Sequence, residues 1–242
     1  MRCSHLNRAL YLFFKFGYLM IIHFTKKFEF LSSILDSKSF RLKYCCEYIG
    51  DEKGKIVSNA AHPMVSFSEF NDRDLEHKSI TYGRYGIALK KGWARKCGIG
   101  PVLYVEKNSP AAKGLVSLLR ARQNLDTLPN ELRLPIMQMK CFTKHETGYN
   151  SWNEEEDFCF KSENEWRFVP SKKQIGNRPI SENYSTYKAN EQKYNDLLLP
   201  YPLRFSEEDI EYIYTNTVEE KEELLSKFGL DERKLKISSW KS

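Results

Sequence analysis

Three short segments carry residues whose types and spacing could do chemistry. In residues 160–170 (FKSENEWRFVP), an extended strand would set Glu163, Glu165 and Arg167 on one face, with Trp166 and Phe168 on the other. Two carboxylates beside a guanidinium suit a site where positive charge develops. They equally suit a same-face ion pair, worth little if exposed. Residues 21–25 (IIHFT) place His23 and Thr25 at the end of an apolar strand. A neutral His can donate to or accept from a ligand hydroxyl, and a core His satisfied by backbone fits the same pattern. In residues 64–69 (MVSFSE), Ser66 and Ser68 alternate with Val65 and Phe67. Pattern alone favours ordinary polar alternation on a half-exposed strand there. His145 and Glu146 read as a solvated surface pair in a polar loop.

The elements that must position these residues follow from periodicity and caps. Phe28, Leu31, Ile34 and Leu35 form an apolar stripe, so the first strand runs into a helix. The polar stretch 36–62 reads as a loop able to cover a site. Strands are expected over residues 63–70, 82–89 and 102–105, with a short helical turn from Lys91 ended by Gly98. Ser109 and Pro110 open a helix with Leu115, Leu118 and Leu119 as its stripe. Residues 134–142 read as another strand, and 171–196 as a lid or surface excursion. Ser206 to Asp209 is a helix-start signature, continuing as helix or turning into strand at Ile210. Thr217 with Glu220 repeats the signature for a helix ending at Gly229. Residues 234–240 close the chain as an edge strand. No repeat or low-complexity linker interrupts the pattern. One α+β domain over residues 20–242 is the simplest organisation.

Composition narrows the function classes. Over 242 residues the chain is 41% hydrophobic and 29% charged, which argues against wholesale disorder. Its net charge is +6, but no basic block tracks a phosphate backbone, so nucleic acid is permitted as a partner without being indicated. Six cysteines show neither CxxC nor a zinc spacing, so no metal and no disulfide are expected, as in a reducing cytoplasm. P-loop, GxGxxG, GxSxG and HExxH motifs are absent. Residues 1–19 combine a basic start with an apolar run that Lys15 splits. That run is short of the roughly 20 apolar residues of a span, and Met20 precedes a clean strand. The segment reads as a helical extension or a mis-set start, and no membrane association is expected.

Taken in order, HFT, PMVSFSE, YGRYGIALKKGWA, GPVLYV, ENEWRFVP and PLRFSEEDIEYI resemble the AbiGi family of bacterial abortive-infection proteins, from about residue 21 to about residue 215. The resemblance implies an anti-phage role as the antitoxin of a two-gene operon, with a cognate toxin or a phage-derived protein as partner. The order of a first-strand His, a second-strand Ser and a late Glu is also distantly similar to ADP-ribosyltransferases. That likeness implies a mostly antiparallel split sheet flanked by helices, with NAD as substrate. His23, Thr25, Ser66 and Ser68 would then hold NAD. Glu165 would be the catalytic carboxylate and Glu163 its acidic companion. Ser-Phe-Ser only approximates the family's second motif. Two expectations therefore stand side by side: an NAD-dependent transferase, or a non-catalytic antitoxin.

Overall fold

The expected caps recur at the ends of several helices. The computed structural model describes residues 19–123, 128–150 and 154–241; the proposed extension at residues 1–18 lies outside them. In chain order the main elements are β1 (Met20–Thr25), α1 (Phe28–Ser37), β2 (Ser39–Phe40), β3 (Lys43–Gly50), β4 (Ile56–Phe70) and β5 (Tyr85–Leu89). Next come β6 (Gly100–Pro101), β7 (Leu103–Val105), α2 (Pro110–Gln123), α3 (Asn130–Cys141) and β8 (Thr143–His145). Then β9 (Thr147–Asn150), β10 (Glu155–Cys159), β11 (Glu165–Phe168), β12 (Glu182–Asn183) and β13 (Leu203–Arg204) follow. The chain closes with β14 (Ile210–Thr215), α4 (Val218–Phe228) and β15 (Leu235–Ile237). The fold is α+β, and its strand pairings are mostly antiparallel, β7–β8 and β14–β15 being parallel. No helix among the described residues is long and apolar enough to cross a membrane.

Contacts gather the chain into two compact units, and β4 starts in one and ends in the other. Among the described residues, the first unit comprises 19–38, 67–96 and 205–241. Here β1 lies between β5 and the end of β4, and β14 adds to β5 with β15 at its edge. One face of β1 is wholly apolar, and its Met20, Ile22 and Phe24 join Phe70, Ala88, Tyr214 and Trp240 in one core. Trp240 donates its Nε1–H to the carbonyl of Gly83 at 2.9 Å. Gly83 is obligatory there: at φ +115° an added Cβ would lie 2.3 Å from the Thr25 carbonyl oxygen. The Thr217/Glu220 capping box starts α4, and Gly229 in the left-handed region ends it.

The second unit comprises the described residues of 39–66 and 97–204. Its frame is the hairpin of β3 against β4, where a loop was expected over residues 36–62. In this unit β12 pairs with Ala60 and Ala61 of β4, and β11 pairs with β6. The expected strand over 134–142 is instead the end of α3. Its buried residues Ile136, Met137, Lys140 and Cys141 fall at helical spacing on one face. That face and α2 close over Ile49 with Leu115, Val116 and Leu119. The excursion over 171–196 folds onto the frame as a 3-10 turn, β12 and two short helices, Tyr184–Ala189 and Glu191–Asp196. Tyr187 of the first donates its hydroxyl to the Tyr44 carbonyl at 3.0 Å.

Candidate functional site

Beta strand 11 is only four residues long, and all four are buried. Its alternation puts Glu165 and Arg167 on a common face, where the Arg167 Nε and Nη2 donate to the two Glu165 oxygens at 2.8 and 2.9 Å. The pair is not the exposed bridge that the spacing alone allows: Arg167 is 0% exposed. Arg167 Nη2 also donates to Glu47 Oε1 on β3 at 2.9 Å, and its Nη1 to the Cys141 carbonyl at 2.7 Å. Opposite, the Ser66 hydroxyl donates to Glu165 Oε1 at 2.8 Å from a side chain open to solvent. Lys144 on β8 approaches Glu165 Oε2 at 3.4 Å and Glu163 Oε2 at 3.1 Å, with its ammonium over the Phe160 ring.

Glu163 reaches this cluster differently from the expected strand register. It ends a 3-10 turn, Phe160–Glu163, and Asn164 in the left-handed region reverses the chain before β11 begins. Glu163 and Glu165 are therefore bridged by Lys144 and do not share one strand face.

The electrostatics favour fixed charges. Burial alone would lift the Glu165 carboxyl, but Arg167 and Lys144 and the hydrogen bonds from Arg167 and Ser66 hold it down at about 2. Burial works against the Arg167 and Lys144 cations too, and the facing carboxylates outweigh it and raise both. Burial pushes the Tyr104 phenol up; its oxygen accepts the Glu165 backbone N–H at 2.9 Å. Three carboxylates (Glu47, Glu163, Glu165) face two cations (Lys144, Arg167). A carboxylate has about four acceptor positions, and Glu165 has four donor contacts on them, two from Arg167 and one each from Ser66 and Lys144. In this geometry Glu165 ties Ser66, Lys144 and Arg167 from three strands together.

The remaining candidates divide between the units. Ser66, Glu163 and Glu165 come together in the second unit, while His23, Thr25 and Ser68 belong to the first. His23 is half-buried and meets the Phe67 ring edge-on at 5.7 Å. Thr25 and Ser68 are buried, with Ser68 opposite Ile22 in the register of β1 and β4. His145 Nε2 faces the Gly50 carbonyl at 3.3 Å, while Glu146 pairs with Lys161. Among the described residues no three His, Cys, Asp or Glu gather as a metal-ligand group. Five cysteines, at 45, 46, 97, 141 and 159, are free thiols.

Sequence spacing gave no sign of Glu47 or Lys144, which reach the cluster from strands far away in the chain. It also missed a second buried polar pair. Lys140 Nζ on α3 lies 3.2 Å from His62 Nε2 on β4, both side chains fully buried, and His62 Nδ1 sits 3.1 Å from the Ile180 carbonyl. Burial, reinforced by Lys140, drives His62 down to about 3. Burial outweighs the attraction of Cys141 and Glu47 and lowers Lys140 to about 8. The neutral tautomer with a proton on Nδ1 satisfies both neighbours: Nδ1–H donates to Ile180, and Nε2 accepts from Lys140.

No curated protein and no solved structure matches this chain. One family matches over residues 38–216, a span that holds β3, β4, α2, α3, β11 and β14 and leaves out residues 21–25 with His23 and Thr25. Its description is putative abortive phage resistance protein AbiGi, antitoxin. With most of its length, including every residue of the buried ion cluster, inside that match, the chain belongs to the AbiGi family.

Proposed function

We propose that this protein is a non-catalytic antitoxin that binds a cognate toxin, encoded beside it, and restrains it during abortive infection. The carrying observation is the saturation of Glu165: four donors from its own chain occupy the carboxylate. A carboxylate so placed organises a scaffold. For it to stabilise a ribosyl cation, a donor would first have to leave. The family's antitoxin description supports the same reading. The test is co-expression. The toxin alone arrests growth, and this chain relieves the arrest and co-purifies with the toxin. A folded Glu165→Gln variant keeps both effects. Loss of rescue in a variant that still folds and still binds the toxin would refute a non-catalytic role.

One observation favours the second reading, an NAD-binding ADP-ribosyltransferase-like site with Glu163, His23, Thr25 and Ser68 in the roles assigned above. A small, solvent-open hydroxyl, Ser66, lies 2.8 Å from the late carboxylate Glu165. Calorimetric titration with NAD, beside His23→Ala and Glu165→Ala, separates the two. The antitoxin reading expects no heat of binding from any of the three proteins. NAD binding that weakens in His23→Ala, with nicotinamide release lost in Glu165→Ala, would establish the enzyme.

A further inference from the structure

The second unit holds a groove of about 290 Å³ away from the ion cluster. Its floor is Leu42, Phe168 and Leu203, all buried, and Tyr201 with Pro202 forms one wall. Tyr201 is fixed from behind. At Gly176, with φ +59°, an added Cβ would lie 2.1 Å from the Tyr201 hydroxyl oxygen, so the backbone can close on the ring only where no side chain stands. Three of the segments lining this groove are residues 40–43, 168–178 and 201–204. They carry the exposed cations Arg41, Lys172, Lys173 and Arg204; Arg204 itself lines the groove, and no Asp or Glu does. The charge at and beside this apolar floor is thus positive.

Resting on the antitoxin reading, we propose that this groove is where the toxin docks. The occupant is a single aromatic or leucine side chain of the toxin, flanked in its own sequence by Asp or Glu. Size argues for an anchor: drug-sized ligands occupy roughly 300–1,000 Å³, and this groove falls just below that range. An anchor buried in an apolar pocket supplies most of an interface's binding energy. Rim cations select acidic neighbours and speed the encounter. Single-stranded nucleic acid would also meet the cations, but its bases need open ring faces for stacking. Phe168 is 7% exposed, and Tyr201 is backed by Gly176. The surface fits an acidic protein segment better.

The test measures toxin binding by calorimetry with the intact chain and two double variants. Lys173→Glu/Arg204→Glu reverses charge at the rim. Lys53→Glu/Lys113→Glu makes the same change in net charge at exposed sites elsewhere. All four positions are exposed, and circular dichroism checks that each variant is folded. The expected result is toxin affinity about tenfold or more weaker for the rim variant only, with the gap narrowing at high salt. Equal binding by both variants and the parent overturns the groove while leaving the antitoxin reading intact. A parent that does not bind toxin overturns both. Unchanged toxin binding together with loss of binding to a labelled twelve-nucleotide oligo-dT in the rim variant overturns the proposal in favour of nucleic acid.

Discussion

Replacing Arg167 by methionine keeps most of the stem volume and removes the charge. The change deletes four hydrogen bonds: two to Glu165, one to Glu47 and one to the Cys141 carbonyl. Glu165, 8% exposed, is left with Ser66 and Lys144. Removing one partner of a buried pair costs about 3–5 kcal/mol, because the other charge stays buried without compensation. The acid limb bounds the share that Arg167, Lys144 and Ser66 supply together. Glu165 is held at about 2 against an ordinary 4.5. Its stabilisation is therefore fully present above pH 4.5 and lost as pH falls through 2. That difference is worth about 3 kcal/mol. In Arg167→Met burial is opposed only by Lys144 and Ser66, and the carboxyl moves up towards its ordinary range. The cost of the substitution must then shrink with acid, by about 1 kcal/mol or more between pH 7 and pH 4.

Urea unfolding followed by tryptophan fluorescence reads both quantities, since Trp166 sits between the two paired residues on β11. A cost below about 1 kcal/mol at pH 7 would refute the reasoning, as would an equal cost at both pH values. Glu165→Leu/Arg167→Met removes both charges and should recover a large part of the loss. A double variant no more stable than the single one would show that the damage is packing and not charge.

Two further outcomes follow from other buried groups. Lys140 is held at about 8 against an ordinary 10.5, so folding favours its neutral form, and that contribution is full above 10.5 and lost as pH falls through 8. The parent should gain about 2 kcal/mol relative to Lys140→Met between pH 8 and pH 10 in denaturant titrations, and parallel curves would rule this out. Trp240, 1% exposed and edge-on to Phe24 and Tyr214 at 5.2 and 5.1 Å, anchors the chain end in the first unit's core. Trp240→Ala should cost about 3–5 kcal/mol in urea unfolding, and a cost under about 1 kcal/mol would mean the core closes without it.

What could be read in advance was whatever is local in the chain. Ser109 caps α2, Thr217 and Glu220 box the start of α4, and Gly98 and Gly229 take the left-handed conformation at the expected places. Each involves residues three or four apart, so spacing alone identifies it. The same is true of Glu165 and Arg167, two residues apart on a strand. Helix α3 was hidden because its buried face includes Lys140, a residue that any hydrophobic pattern scores as exposed, and because Pro135 stands inside it. Lys140 is tolerated there only through His62, 78 residues away. The hairpin of β3 and β4 was hidden for a related reason: β3 carries Lys43 and Glu47, and Glu47 belongs inside only because Arg167, 120 residues later, meets it. In both places a polar residue broke the apolar signal of its own element, and its partner supplied the missing justification from another. The ion cluster and the misread elements are thus one phenomenon. Charges buried as pairs conceal the elements that carry them, and in this chain they join β3, β4, β8, β11 and α3 into the scaffold on which the groove at Leu42, Phe168 and Leu203 is built.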